Sequence, residues 1–167
     1  MRIGETANVA SSGNPFSRGR MRSALADWMV NTNCSHALTL ATNRCGSVSN
    51  ITRMFGDFCF DLDRACFGKK NVGKIPRGDR LFAIAFIEHP ESNIHLHVGL
   101  RLDGWWRDKT GRDIADCVNA IWTKISGGSG STYLRELEDI GWGWYITKEA
   151  RVERGEYLLA ASYHPSH

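Results

Sequence analysis

Leu81-Phe82-Ala83-Ile84-Ala85-Phe86-Ile87-Glu88, then His89-Pro90-Glu91-Ser92-Asn93, then Ile94-His95-Leu96-His97-Val98-Gly99-Leu100 is the stretch on which the fold turns. Two apolar runs flank a short polar segment, and that pattern predicts a β-hairpin. Alternate residues of a strand share a face, so His95 and His97 project from the same side of the sheet. Glu88 lies near the end of the incoming strand, where the hairpin brings its carboxylate toward the two imidazoles. Two nitrogens and one carboxylate on one sheet face make a three-ligand metal site with positions left open for water or substrate. His89 and Glu91 fall in the turn and are alternative ligands to Glu88, although turn-tip residues are usually only solvated.

Working outward, His36 to Thr42 alternates as a strand and ends at Asn43-Arg44-Cys45-Gly46. From Ser49 to Phe67, Ile51, Met54, Phe55, Phe58, Leu62, Ala65 and Cys66 recur at three- and four-residue spacing. That spacing predicts an amphipathic helix with Ser49 as N-cap and Gly68 as its stop. Lys69, Lys70 and Lys74, followed by Arg77 and Arg80, form a basic run leading into the hairpin. Such a run suits a nucleic-acid backbone, and it equally suits a solvated face. Asp113 to Ile125 predicts a second amphipathic helix, Thr132 to Leu137 a strand, and Tyr157 to Tyr163 a last strand. Ser23 to Val30 predicts a short helix. Residues 1–22 carry Gly, Ser, Asn and Arg without apolar periodicity and read as a flexible arm, leaving 23–167 as a single domain. Strands and helices mix without strict alternation, so the expected class is α+β, an antiparallel sheet covered by helices.

Composition narrows the class. The chain of 167 residues is 42% hydrophobic and 23% charged, with a formal charge of +3. That is ordinary for a globular domain, and the charge permits a nucleic-acid partner without indicating one. Five cysteines in an odd set without Cys-x-x-Cys spacing argue against a zinc finger and for reduced thiols. No apolar stretch approaches bilayer length or resembles a signal peptide, so the expectation is a cytoplasmic protein without a membrane partner. Gly127-Gly128-Ser129-Gly130-Ser131 lacks the ending of a phosphate-binding P-loop.

Two further features carry chemistry. Tyr145 and Lys148 stand three residues apart, on one face if the segment is helical. A tyrosine hydroxyl, with an unperturbed pKa of about 10, is a weak nucleophile unless its target is activated. A divalent cation supplies that activation by polarising a phosphoryl oxygen, and an ammonium stabilises the developing charge. Metal, phenol and ammonium together suit transesterification of a phosphodiester through a covalent phosphotyrosine. Trp105 and Trp106, near the hairpin's exit, suit either base stacking or core packing. A cupin-type oxygenase also uses His-x-His, but it needs a carboxylate shortly after the second His, where this chain has Val98-Gly99-Leu100-Arg101-Leu102. A two-histidine phosphoesterase needs paired His-x-Ser/Thr motifs on separate strands, and only His164-Pro165-Ser166 approaches that form.

Leu38-Thr39-Leu40-Ala41-Thr42-Asn43 resembles the first motif of rolling-circle replication initiators of the HUH superfamily. Glu88 with His95-Leu96-His97 resembles their metal motif, and Tyr145-x-x-Lys148 their single-tyrosine motif. The three occur in the family's order and span about residues 36 to 150; each is short, and only the ordered set is specific. The first motif departs from many members, with Ala-Thr where they carry Asn or aromatic residues. The resemblance implies a ferredoxin- or RRM-like sheet flanked by helices and a metal-dependent nick in single-stranded or hairpin origin DNA of a plasmid or phage. It implies Mg²⁺ or Mn²⁺ on Glu88, His95 and His97, Tyr145 as nucleophile keeping the 5′-phosphate, and Lys148 as phosphate- or metal-positioning group. It also places Thr39 and Asn43 near DNA, joined by Lys69, Lys70, Lys74, Trp105 and Trp106, with unwinding and extension left to a host helicase and polymerase. The competing class is a DNA-binding regulator of the same fold without catalysis.

Overall fold

Strand periodicity decides how this molecule is layered. The computed structural model describes residues 15–44, 46–90, 92–102, 113–137 and 157–163. Its strands are β1 (His36–Ala41), β2 (Phe82–Glu88), β3 (His95–Arg101), β4 (Ser131–Glu136) and β5 (Tyr157–Leu159). They form one sheet in the order β4-β1-β3-β2-β5, and every neighbouring pair is antiparallel. Helices α1 (Pro15–Asn31), α2 (Val48–Phe67) and α3 (Ile114–Ile125) complete the described elements, with three short 3₁₀ turns. The fold is α+β, as the pattern of elements predicts. From β1 to β4 the order is β-α-β-β-α-β, the ferredoxin-like arrangement.

One face of the sheet is the core. Leu38 and Leu40 of β1, Ala83, Ala85 and Ile87 of β2, and Leu96, Val98 and Leu100 of β3 alternate onto it. Ile51, Phe55, Phe58 and Leu62 of α2 and Val118 and Trp122 of α3 close over them. Trp122 is fully buried, meets Phe58 edge to face at 6.2 Å between ring centroids, and donates its indole N–H to the Ala41 carbonyl at 2.8 Å. Helix α3 is thereby fastened to the end of β1.

Among the described residues, α1 covers part of the opposite face. Met29 of α1 packs with Ala37, Ile84 and Phe86, and Trp28 meets Phe82 edge to face. Gly99 permits this approach, because a Cβ there would stand 2.6 Å from the Met29 methyl carbon.

Several boundaries differ from the sequence expectation. Helix α1 begins at Pro15 rather than Ser23, so residues 15–22 are helical. Its apolar spacing starts only at Leu25, but proline is well tolerated at a first helical position, and the turns before Leu25 extend the helix. The cap of α2 is Ser47, not Ser49; its hydroxyl accepts the Asn50 N–H at 3.1 Å. Gly68 ends α2 at φ 81° as predicted, its N–H reaching the Arg64 carbonyl. The last strand stops at Leu159, and residues 160–163 turn as a 3₁₀ helix, seating Ala160 in the core.

Candidate metal centre

The hairpin pairs Glu88 directly with His95, and Phe86 with His97. Strand β1 lies on the other side of β3 and pairs Thr39 with His97 and Ala41 with His95. Two rows therefore cross the face opposite the core: Tyr133-Thr39-His97-Phe86-Tyr157, and Ser131-Ala41-His95-Glu88. Helix α1 packs at the Ala37 and Gly99 end of these strands, while Glu88, His95 and His97 occupy the other end.

Both imidazoles converge on one carboxylate oxygen. His95 Nε2 lies 3.2 Å and His97 Nε2 2.9 Å from Glu88 Oε2. Each ring is held from behind through Nδ1: His95 by the Asn93 carbonyl at 2.8 Å, His97 by the Thr39 hydroxyl at 3.2 Å. A carbonyl only accepts, so Nδ1 of His95 carries a proton and donates it. The Nε2 lone pair of the neutral ring then faces a carboxylate, and two such electron-rich atoms at this separation call for a proton or a cation. Glu88 is 2% exposed, and a carboxylate so far from water is stable only with compensating positive charge.

Both separations are of hydrogen-bond length, and they also suit donors gathered on one ion. Bonds of about 2.1 Å meeting at right angles put neighbouring donors about 3.0 Å apart, close to both separations. Fixing of the rear nitrogen is the usual way a protein orients an imidazole ligand. Among the described residues, the donor group that can hold a metal ion is Glu88, His89 and His95, whose ligand atoms lie within 4.8 Å of one another; His97 joins it through its contact with Glu88. His89, an alternative to Glu88 by its place in the turn, stands beside Glu88.

The other predicted residues separate into four groups. Thr39 is engaged with His97. Asn43, at φ 54°, donates through Nδ2 to the Ser129 carbonyl at 2.9 Å and the Ser131 hydroxyl at 3.1 Å, so that it ties the end of β1 to the start of β4. Lys69, Lys70 and Lys74 are exposed on the segment between α2 and β2. That segment enters the sheet at Phe82, a strand length of about 20 Å from Glu88. Tyr145, Lys148, Trp105, Trp106 and Glu91 lie outside the described residues.

Sequence reading missed three contributors. The Asn93 carbonyl is a backbone group with no signature. Tyr133 is 66% exposed and two strands from His97 on the same face. The Thr39–His97 contact joins residues 58 positions apart; the parity of Leu38, Thr39 and Leu40 gave the face of Thr39 but not its neighbour.

No described helix is long and apolar enough to cross a membrane. Set against protein-family models, curated proteins and solved structures, the chain matches none of them.

Proposed function

We propose that this protein is a metal-dependent enzyme that nicks and rejoins single-stranded or hairpin DNA in the manner of a rolling-circle initiator. The observation that carries this reading is the convergence of the His95 and His97 Nε2 atoms on one Glu88 oxygen, each ring held through Nδ1. When bound, Mg²⁺ or Mn²⁺ supplies Lewis-acid polarisation of a phosphoryl oxygen and neutralises its charge. Glu88, His95 and His97 hold the ion, and Thr39 is a positioning residue for His97. The same face presents Tyr133, an exposed aromatic ring of the kind on which unpaired bases stack.

The remaining roles rest on the resemblance of Tyr145-x-x-Lys148 to the single-tyrosine motif. The Tyr145 phenolic oxygen forms a bond to phosphorus, the bond from phosphorus to the 3′ oxygen breaks, and a proton ends on the departing 3′-hydroxyl. The 5′-phosphate stays on the tyrosine, and the reverse attack by a 3′-hydroxyl rejoins the strand. Lys148 stabilises the negative charge that develops on the phosphoryl oxygens. A host polymerase would extend the free 3′-hydroxyl, and a host helicase would open the duplex.

A denaturing gel tests the proposal. With a labelled pool of single-stranded oligonucleotides and Mn²⁺, the expected product is a covalent protein–DNA adduct. It should vanish on chelation, in Tyr145→Phe and in His97→Ala, while His97→Ala keeps much of its DNA binding. An adduct surviving in Tyr145→Phe removes that residue as nucleophile. DNA binding without any adduct across the pool makes the protein a non-catalytic DNA-binding regulator.

A further inference from the structure

In an uninterrupted strand the residue after Glu88 would point to the opposite face, into the helices. His89 does not follow that alternation. Its φ of 49° is in the left-handed region, which side chains with a Cβ seldom adopt. The bend brings the His89 ring to 5.3 Å from the His95 ring, centroid to centroid, and its ligand nitrogen within 4.8 Å of a Glu88 carboxylate oxygen and a His95 nitrogen. The ring is exposed, whereas Glu88 and His97 are buried.

We infer that His89 is a fourth, mobile metal ligand, which makes the centre one of three imidazoles and one carboxylate. This rests on the reading of Glu88, His95 and His97 as ligands. Its consequence is metal preference. Imidazole donors favour the later divalent ions, whereas Mg²⁺ favours oxygen donors and water. Closing of His89 over the ion therefore selects Co²⁺, Ni²⁺ or Zn²⁺ over Mg²⁺. Opening of His89 frees a position for a phosphate oxygen without loss of the ion.

The test is calorimetric titration of the full chain with Co²⁺ and, separately, Mg²⁺, in wild type, His89→Asn, His89→Gly and His97→Ala. Asparagine and glycine both accept a positive φ, so they delete the imidazole while keeping the turn. The expected result is a fall in Co²⁺ affinity of about tenfold or more in both His89 variants, with Mg²⁺ affinity changed by less than about twofold. Unchanged Co²⁺ affinity in both variants would overturn the inference and leave His89 a solvated turn residue, with the three-ligand reading intact. Equal losses for both ions would overturn the metal preference. Absence of binding in wild type, or wild-type binding in His97→Ala, would overturn the three-ligand reading itself.

Discussion

The two faces of the sheet are written by the same strands in alternate residues, and they have opposite characters. One face of β1, β2 and β3 carries Leu38, Leu40, Ala83, Ala85, Ile87, Leu96, Val98 and Leu100, and α2 and α3 pack over it. The other carries Ala37, Ile84 and Phe86 under α1, then Thr39, Glu88, His95 and His97 beyond it. A single strand such as β3 thus supplies Leu96 and Val98 to the core and His95 and His97 to the site. The lesson is a division of labour by parity: burial on one side holds rigid the backbone that positions donor atoms on the other. Stability and metal binding should accordingly respond to different substitutions, and three experiments can break or sharpen that separation.

The largest effect belongs to the covered face. Trp122→Ala removes a fully buried ring and its hydrogen bond to Ala41, and should cost about 3–5 kcal/mol of unfolding free energy in urea titration. A loss below about 1 kcal/mol would mean that α3 does not carry the core.

Next comes the junction of the faces, where β1 reaches behind a ligand. Thr39→Val keeps the shape of the side chain and deletes the hydroxyl that holds His97 Nδ1. It should lower Mn²⁺ affinity about 10- to 100-fold, with Thr39→Ser restoring most of it. If Thr39→Val instead weakens only DNA binding, Thr39 is a DNA contact, as the motif resemblance alone suggested.

The smallest effect is a pH dependence on the helix side. Asp63 of α2 is buried and accepts the Leu81 N–H at 2.9 Å. Burial raises its carboxyl above the ordinary carboxylate range, and the Leu81 N–H and the Arg80 charge offset this only in part. A group whose pKa is raised on folding binds its proton more tightly in the folded state. Its contribution is complete below the ordinary carboxylate range and is lost as pH rises through the raised value. The stability of Asp63→Asn relative to wild type should therefore grow as pH rises through the acid range, measured as urea midpoints. A difference independent of pH would show that the carboxyl is not shifted.

Much of this was legible from local pattern. The Glu88 to His95 hairpin follows from two apolar runs and a polar turn, and α2 from the spacing of Ile51, Phe55, Phe58 and Leu62. The antiparallel α+β class follows from the mixture of elements. Helix α1 was legible only from Ser23 to Val30, because residues 15–22 carry no periodic apolar face, and the Ser47 cap was displaced by two residues from the more obvious Ser49. The basic run at Lys69, Lys70 and Lys74 is close to the hairpin in sequence yet enters at the far end of β2, since an extended strand carries the chain away at about 3.3 Å per residue.

The sequence by itself determined the local terms: which residues alternate, which lie at helical spacing, and that Glu88, His95 and His97 share one face of a hairpin. Those follow from strand and helix periods, which act over a few residues. Only the tertiary structure decided that β1 lies against β3, so that Thr39 backs His97, and that His89 turns toward the donors instead of into the core. Strand order and register come from burying a whole apolar face at once, a cooperative choice among segments dozens of residues apart, and no local spacing encodes it.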